Sequence, residues 1–214
     1  MIDVLLVDDH ALVRTGIRRL LDDRGDIRVI DEADSGEQAV QKVRERRPNV
    51  VLMDVNMPGM GGLEATRRIM QFDHGMKVIV CTVHASEPFP TRLLEAGASG
   101  YLTKSCGVDE IISAIESVYR GERYICAEIA QQIALSMMPG AHRSPFDRLS
   151  QREMQVMLMV TQGQNVQEIS DRLCLSPKTV STYRHRLFEK LGVLNDVELT
   201  RLVIRHGMVE SAGG

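Results

Sequence analysis

Three carboxylates (Asp8, Asp9 and Asp54), a hydroxyl (Thr82) and an ammonium (Lys104) stand at the ends of short apolar runs in this 214-residue chain. Taken singly, each reads as a solvated loop residue, because most charged side chains are exposed. Together they suggest a chemistry. Carboxylates brought close repel and raise one another's pKa unless a cation sits among them. A small set of oxygen ligands favours Mg²⁺ (or Mn²⁺), which keeps several waters and takes one or two carboxylates plus phosphate oxygens. A hydroxyl and an ammonium at the same place are what a phosphoryl group on Asp54 would require.

The five must then be positioned by a scaffold. Residues 3–8, 28–33, 49–55, 77–83 and 100–104 are short segments rich in β-branched side chains. Between them Val13, Ile17, Leu20 and Leu21 form a helical stripe, as do Ala39, Val40 and Val43. Leu63, Thr66, Ile69 and Met70 form a third stripe, and Ile111, Ile112, Ile115 and Val118 a later one. Apolar strands alternating with amphipathic helices predict an α/β domain with a five-stranded parallel sheet covered on both faces. In a doubly wound, flavodoxin-like sheet ordered 2-1-3-4-5, the first and third strands are neighbours where the winding reverses. Asp8, Asp9 and Asp54 then meet at one rim, and Thr82 and Lys104 end the fourth and fifth strands beside them.

Composition bounds the rest. With 43% hydrophobic and 26% charged residues the chain can bury a sizeable core, and a net charge of −3 excludes a polycation. The charge is unevenly spread: residues 1–125 carry a net −4, residues 140–214 a net +2, so the C-terminal part leans toward a polyanion. Cys81, Cys106, Cys126 and Cys174 form no C-x-x-C pair and read as small apolar side chains in a reducing compartment. No long apolar run or signal pattern is present. The expectation is a cytoplasmic protein without a membrane partner.

We divide the chain into a domain over 1–122, a linker with a helical segment over 123–147, and an all-α domain of four helices over 148–214. Residues 138–145 are a linker by composition. Ser150 to Glu153 is a capping box opening a helix. A short helix over 166–173 follows, and Ser176-Pro177 launches another that stops at Gly192. Asp196 is read as the cap of the last helix, which runs to Ile204 and is closed by Gly207. The tight join between the second and third helices suggests helix-turn-helix.

Along 177–191, Val180, Tyr183, Leu187 and Leu191 make an inward stripe. Lys178, Ser181, Thr182, His185, Arg186 and Lys190 lie opposite, flanked by Arg184. A cationic polar face of this size fits the major groove of DNA, although the same pattern also describes an ordinary solvated helix face.

Val7-Asp8-Asp9-His10, Met53 through Gly62, Thr82 and Gly100 through Lys104 resemble the motifs of two-component response-regulator receivers. Leu149 through Met208 resembles the LuxR-type (NarL/FixJ) output domain. Within that family, Pro88-Phe89-Pro90 and the stretches 176–187 and 196–200 are similar to the GacA/UvrY/SirA subgroup of global regulators. The resemblance implies that Asp54 is the phosphoacceptor, served by a sensor histidine kinase. It implies that Asp8, Asp9 and Asp54 hold Mg²⁺ together with the main-chain carbonyl of Asn56. Lys104 would contact the phosphoryl oxygens, and Thr82 would swing toward them with Tyr101 following inward. Tyr101 also reads as a packed aromatic, and His10 as a loop residue rather than a ligand.

For the output domain, the resemblance puts base contacts at Ser181, Thr182 and His185. Phosphate contacts fall to Lys178, Thr179, Arg184 and Lys190, with Arg152 and Asn165 as further candidates. Val197, Leu199, Leu202 and Val203 would form a dimer surface, with some of these side chains packing the small domain's own core instead, and paired half-sites would be bound by a homodimer. The subgroup implies a membrane-bound hybrid kinase, RNA polymerase as a partner, and promoters of small regulatory RNAs as targets. The resemblance implies a phosphoacceptor and not an enzyme that turns over.

Two departures from the family pattern stand out. Ser105 follows Lys104 where many receivers have proline, and Pro88 and Pro90 should delay the helix after the fourth strand. An aspartate-nucleophile phosphatase is the rival from another class. It would carry a D-x-D pair on the first strand, whereas here the candidate nucleophile is on the third and position 56 is Asn. A protein-binding C-terminal domain is the second rival. The βα pattern leaves no room for the sensory domain of a ligand-binding quorum regulator.

Overall fold

The computed structural model describes residues 1–57, 59–82, 90–136, 145–173 and 175–206. Pro58, Pro88, Phe89, Cys174, Gly207, Met208 and the linker residues 138–144 lie outside this set. The described residues divide into two compact units, one ending at residue 136 and one starting at residue 145.

Strands in the first unit are β1 (Ile2–Val7), β2 (Ile27–Ala33), β3 (Val50–Asp54), β4 (Lys77–Thr82), β5 (Gly100–Thr103) and β6 (Tyr124–Ile125). They form one parallel sheet ordered β2-β1-β3-β4-β5-β6. The expected order is thus found, with β6 added beyond β5. Tyr124 pairs with Gly100 and Ile125 with Tyr101. Two residues are too few to show a period of two, and so this strand left no pattern in the sequence.

Helices α1 (Ala11–Asp22), α2 (Gly36–Arg46), α3 (Gly62–Phe72), α4 (Pro90–Glu95), α5 (Val108–Tyr119) and α6 (Ala127–Ser136) complete the unit. Every residue of β3 and β5 is buried, as a parallel strand covered on both faces requires. Helix α4 starts at Pro90, where a missing N–H costs nothing. Residues 123–136, placed by sequence in a linker segment, supply β6 and α6, and Cys126 and Ile129 are buried.

Thr66 on α3 is fully buried, and among the described residues nothing hydrogen-bonds its hydroxyl. An unsatisfied buried hydroxyl costs roughly 1–3 kcal/mol. Thr66→Val keeps the shape and removes the group, so it should stabilise the chain by about 1 kcal/mol. An unchanged or lower denaturation midpoint would show that the hydroxyl is satisfied.

In the second unit a 3-10 turn (Pro145–Arg148) precedes α7 (Gln151–Thr161), α8 (Val166–Leu173), α9 (Pro177–Leu191) and α10 (Asp196–Arg205). The capping box at α7 is formed: the Glu153 N–H donates to Ser150 Oγ and the Ser150 N–H to Glu153 Oε2. Ser176 Oγ caps α9, which ends on Gly192 at φ 66°. The cap of α10 is Asn195, not Asp196; its Oδ1 accepts the Glu198 N–H at 2.9 Å. Phe146, Leu149, Met157, Ile169, Leu187 and Leu199 are among the buried residues of this unit. None of the described helices is long and apolar enough to cross a membrane.

Candidate functional site

Parallel register brings the strand ends together. Val7 lies opposite Met53, Asp54 opposite Cys81, and Thr82 opposite Thr103. One residue further along, the chain places Asp8 and Lys104 on the same rim as Asp54. Lys104 Nζ donates to Asp8 Oδ2 at 2.6 Å and to Asp54 Oδ2 at 2.8 Å, bridging the two strands. Its main-chain N–H donates to the Thr82 carbonyl at 2.6 Å. No cis peptide occurs among the described residues, so the bond into Ser105 is trans.

Both bridged carboxylates are about 2% exposed. Burial pushes the pKa of Asp54 up to about 6, against the opposing pull of the Lys104 ammonium. Burial works against charge on Lys104 too, but its hydrogen bonds to Asp54 and Asp8 carry its pKa above the usual lysine value. Cys81, opposite Asp54, has its thiol pushed up to about 12 by burial, and is inert at neutral pH.

Asp8, Asp9, His10 and Asp54 each offer a ligand atom within 4.8 Å of the others. Asp9 Oδ1 is sealed from solvent and, among the described residues, no donor is aligned on it, although His10 Nδ1 lies 2.9 Å away. A buried carboxylate oxygen beside two more carboxylates is a hard-oxygen donor set of the kind Mg²⁺ takes. His10 is mostly exposed and gives Asp8 Oδ1 its main-chain N–H at 2.8 Å. Asn56 donates its main-chain N–H to Asp54 Oδ1 at 3.2 Å. Thr82 and Tyr101 are fully buried.

The loop after Asp54 is fixed by Glu37 and by two glycines, Gly36 and Gly62. Glu37 Oε1, in the first turn of α2, accepts the Met60 N–H at 2.8 Å. A Cβ on Gly36 would stand 2.1 Å from the Met60 carbonyl oxygen, and one on Gly62 2.0 Å from the Asp54 carbonyl oxygen. The adjacent Gly61-Gly62 pair was the available signal; Glu37 left none.

On α9, Val180 and Leu187 are fully buried, with Tyr183 and Leu191 partly so. Lys178, Ser181, Thr182, His185 and Arg186 are exposed on the other side, with Thr179 half-buried. Ser181 and Thr182 return their hydroxyls to the carbonyls of Pro177 and Lys178, both at 2.9 Å. Two expected phosphate contacts are engaged elsewhere. Arg184 forks onto Asp196 at 3.0 and 2.5 Å and lies over the Phe188 ring. Lys190 pairs with the buried Glu153 at 2.6 Å. Burial would raise the Glu153 pKa, but the Lys190 ammonium and the Ser150 N–H hold it below the usual carboxylate range.

These pairings separate two lysines. Lys178→Ala should shallow the salt dependence of DNA binding by about one unit and leave stability unchanged. Lys190→Ala should lower unfolding stability by about 1–3 kcal/mol, because Glu153 loses its counter-charge, and should change the salt slope less. Equal effects of the two on slope and stability would contradict this division.

Of the other candidates, Arg152 donates to Gln155, and the Asn165 side chain is taken up capping α8. Leu199 and Val203 are fully buried and Leu202 partly so; the first two belong to the domain core and not to a dimer surface. The 3.6-residue period of α10 turns them inward and leaves Val197 61% exposed.

Residues 4–116 match the response regulator receiver domain, and residues 147–203 the luxR family of bacterial regulatory proteins. The response regulator GacA of Pseudomonas aeruginosa is 56% identical over 213 residues, 99% of this chain and 100% of that one. UvrY of Escherichia coli is 56% identical over 209 residues, 97% of this chain and 96% of that one. A LuxR-family response regulator from Aurantimonas is 42% identical with a TM-score of 0.61, covering 63% of this chain and 96% of that one. RcsB of Salmonella enterica bound to the rprA promoter has a TM-score of 0.68 at 22% identity, covering 95% of this chain and 98% of that one, and supports the fold alone.

Proposed function

The chain belongs to the response regulators that join a receiver to a LuxR-type output domain, and on that premise we propose that phosphorylation of Asp54 switches its binding to DNA. The observation that carries this reading is the Lys104 ammonium bridging Asp8 and Asp54 at the rim. A carboxylate oxygen of Asp54 attacks the phosphorus of a phosphohistidine on a sensor kinase. The new O–P bond forms as the N–P bond breaks, and the imidazole leaves with the electron pair. Lys104 turns from the free carboxylates to the phosphoryl oxygens, and the Thr82 hydroxyl supplies a further donor. Contacts made in only one state are what shift a two-state equilibrium.

Asp8, Asp9 and Asp54, with the main-chain carbonyl of Asn56, would hold Mg²⁺. When bound, that ion supplies positive charge against the carboxylates and the incoming phosphoryl oxygens. In the output domain Ser181, Thr182 and His185 face the bases, with Lys178, Thr179 and Arg186 toward the backbone. Arg184 and Lys190 hold the domain together. The chain acts in the cytoplasm as a homodimer that recruits RNA polymerase, and is a phosphoacceptor rather than an enzyme. By likeness to GacA and UvrY, its kinase is a membrane-bound hybrid and its targets are genes of small regulatory RNAs.

Labelling by an acyl phosphate, with the modified peptide mapped, tests this. Mg²⁺-dependent label on Asp54 is expected. Label elsewhere, or none, would overturn the reading. Lys104→Ala should still accept label but fail to raise DNA affinity, and a normal response in that variant would remove Lys104 from the switch.

A further inference from the structure

Asp8 is the first residue beyond β1, where the strand's regular pairing stops. Its N–H still donates to the Ala33 carbonyl at 3.1 Å. Its own carbonyl accepts from Arg14 Nη1 at 2.6 Å. A guanidinium thus takes the place of the ladder donor for a buried peptide group.

Arg14 is itself held in place. Its Nε donates to Glu32 Oε2 at 3.2 Å, and the side chain is 17% exposed. The other oxygen of Glu32 accepts from Arg18 Nη1 at 2.6 Å. Glu32 stands on β2, so its carboxylate ties both arginines of α1 to the edge strand. The neighbouring Asp31, turned to the opposite face, pairs with Lys42 and Arg46 of α2. Arg14 and Arg18 therefore share one carboxylate, but only Arg14 reaches the peptide that joins Asp8 to Asp9.

We infer that Arg14, braced by Glu32, is a positioning residue that sets the Asp8–Asp9 peptide and thereby aims both carboxylates at the metal. The inference rests on the reading of Asp8, Asp9 and Asp54 as the Mg²⁺ ligands. A group that orients a metal ligand typically changes metal affinity 10–100-fold when removed. Simple electrostatics predicts the opposite sign, because deleting a cation near an anionic cluster tightens binding of Mg²⁺.

The test is calorimetric titration of the full-length chain with Mg²⁺ alone, without a phosphodonor, on wild type, Arg14→Gln, Arg14→Lys and Arg18→Gln. Arg14→Gln should weaken Mg²⁺ binding about tenfold. Arg14→Lys, which keeps a cationic donor, should recover part of the loss. Arg18→Gln, which disturbs the same Glu32 but not Asp8, should bind as wild type or more tightly. Circular dichroism checks that each variant is folded. If Arg14→Gln is folded and binds Mg²⁺ as well as wild type, or if Arg18→Gln weakens it equally, the inference is overturned. An Arg14→Gln chain that does not fold leaves the decision to Arg14→Lys, where undiminished affinity at a lowered melting temperature means a purely structural role. A wild type that binds no Mg²⁺ also overturns it. A wild type that binds Mg²⁺ but takes no label on Asp54 refutes the phosphoacceptor reading instead, and the positioning role is then still decided by the titrations.

Discussion

Asp54→Asn should lose phosphoryl labelling by at least about 100-fold, since the nucleophile is gone and no other group replaces it. In Mg²⁺-free buffer near neutral pH the same variant should be more stable than wild type. Asp54 has a folded pKa of about 6 against 3.8 for an unperturbed group, because burial disfavours its charge. The native state therefore holds this proton more tightly than the unfolded chain. The stability that follows is fully present below 3.8 and is lost as the pH rises through about 6. At neutral pH the buried carboxylate thus costs up to about 3 kcal/mol. Asparagine cannot ionise, and Lys104 keeps Asp8 as a partner. A gain of about 1–3 kcal/mol is expected, disappearing in acid. Paired denaturation curves at neutral and acid pH measure it, and a variant less stable than wild type at neutral pH would contradict the assigned direction.

Gly62→Ala should have the second large effect. The added Cβ would lie 2.0 Å from the Asp54 carbonyl oxygen and 3.0 Å from the Val55 Cα, both backbone atoms that cannot rotate aside. Overpacking of this kind costs 1–3 kcal/mol where side chains can adjust, and here about 3 kcal/mol or more is expected. The displaced atom belongs to the phosphoacceptor itself, so labelling should fall together with stability. Gly107, the N-cap of α5, is a suitable control, because none of the described residues lies within 4 Å of a Cβ placed there. A Gly62→Ala chain with wild-type stability and labelling would mean that the loop is not held against α3 as described.

What could be read from the sequence follows a physical division. Periodic apolar residues and caps are local, so α8 and α9 have the bounds expected, and the strand ends carrying Asp8, Asp54, Thr82 and Lys104 meet at one rim. Long-range side-chain pairing leaves no period. Lys190 and Arg184 look like free cations on α9, yet each is claimed by an acid on another helix, Glu153 and Asp196. The same holds for Arg14 and Glu37, whose partners are a carbonyl and an amide on separate segments. Family likeness groups Val197, Leu199, Leu202 and Val203 as one surface, and the helical period sorts them, with Leu199 and Val203 in the core and Val197 exposed. Asn195 and Asp196 are both good caps, and only backbone geometry separates them.

The claim that joins the two units is that chemistry at Asp54 governs α9 on DNA. The direct measurement is the affinity of the full chain for duplexes selected from a random-sequence pool, across a salt series, with and without an acyl phosphate and Mg²⁺. Phosphorylation should tighten binding of wild type to the selected duplexes, with a steep salt slope in both states, and should leave Asp54→Asn unmoved. Labelled and unlabelled wild type binding with the same affinity at every salt concentration would contradict the switch.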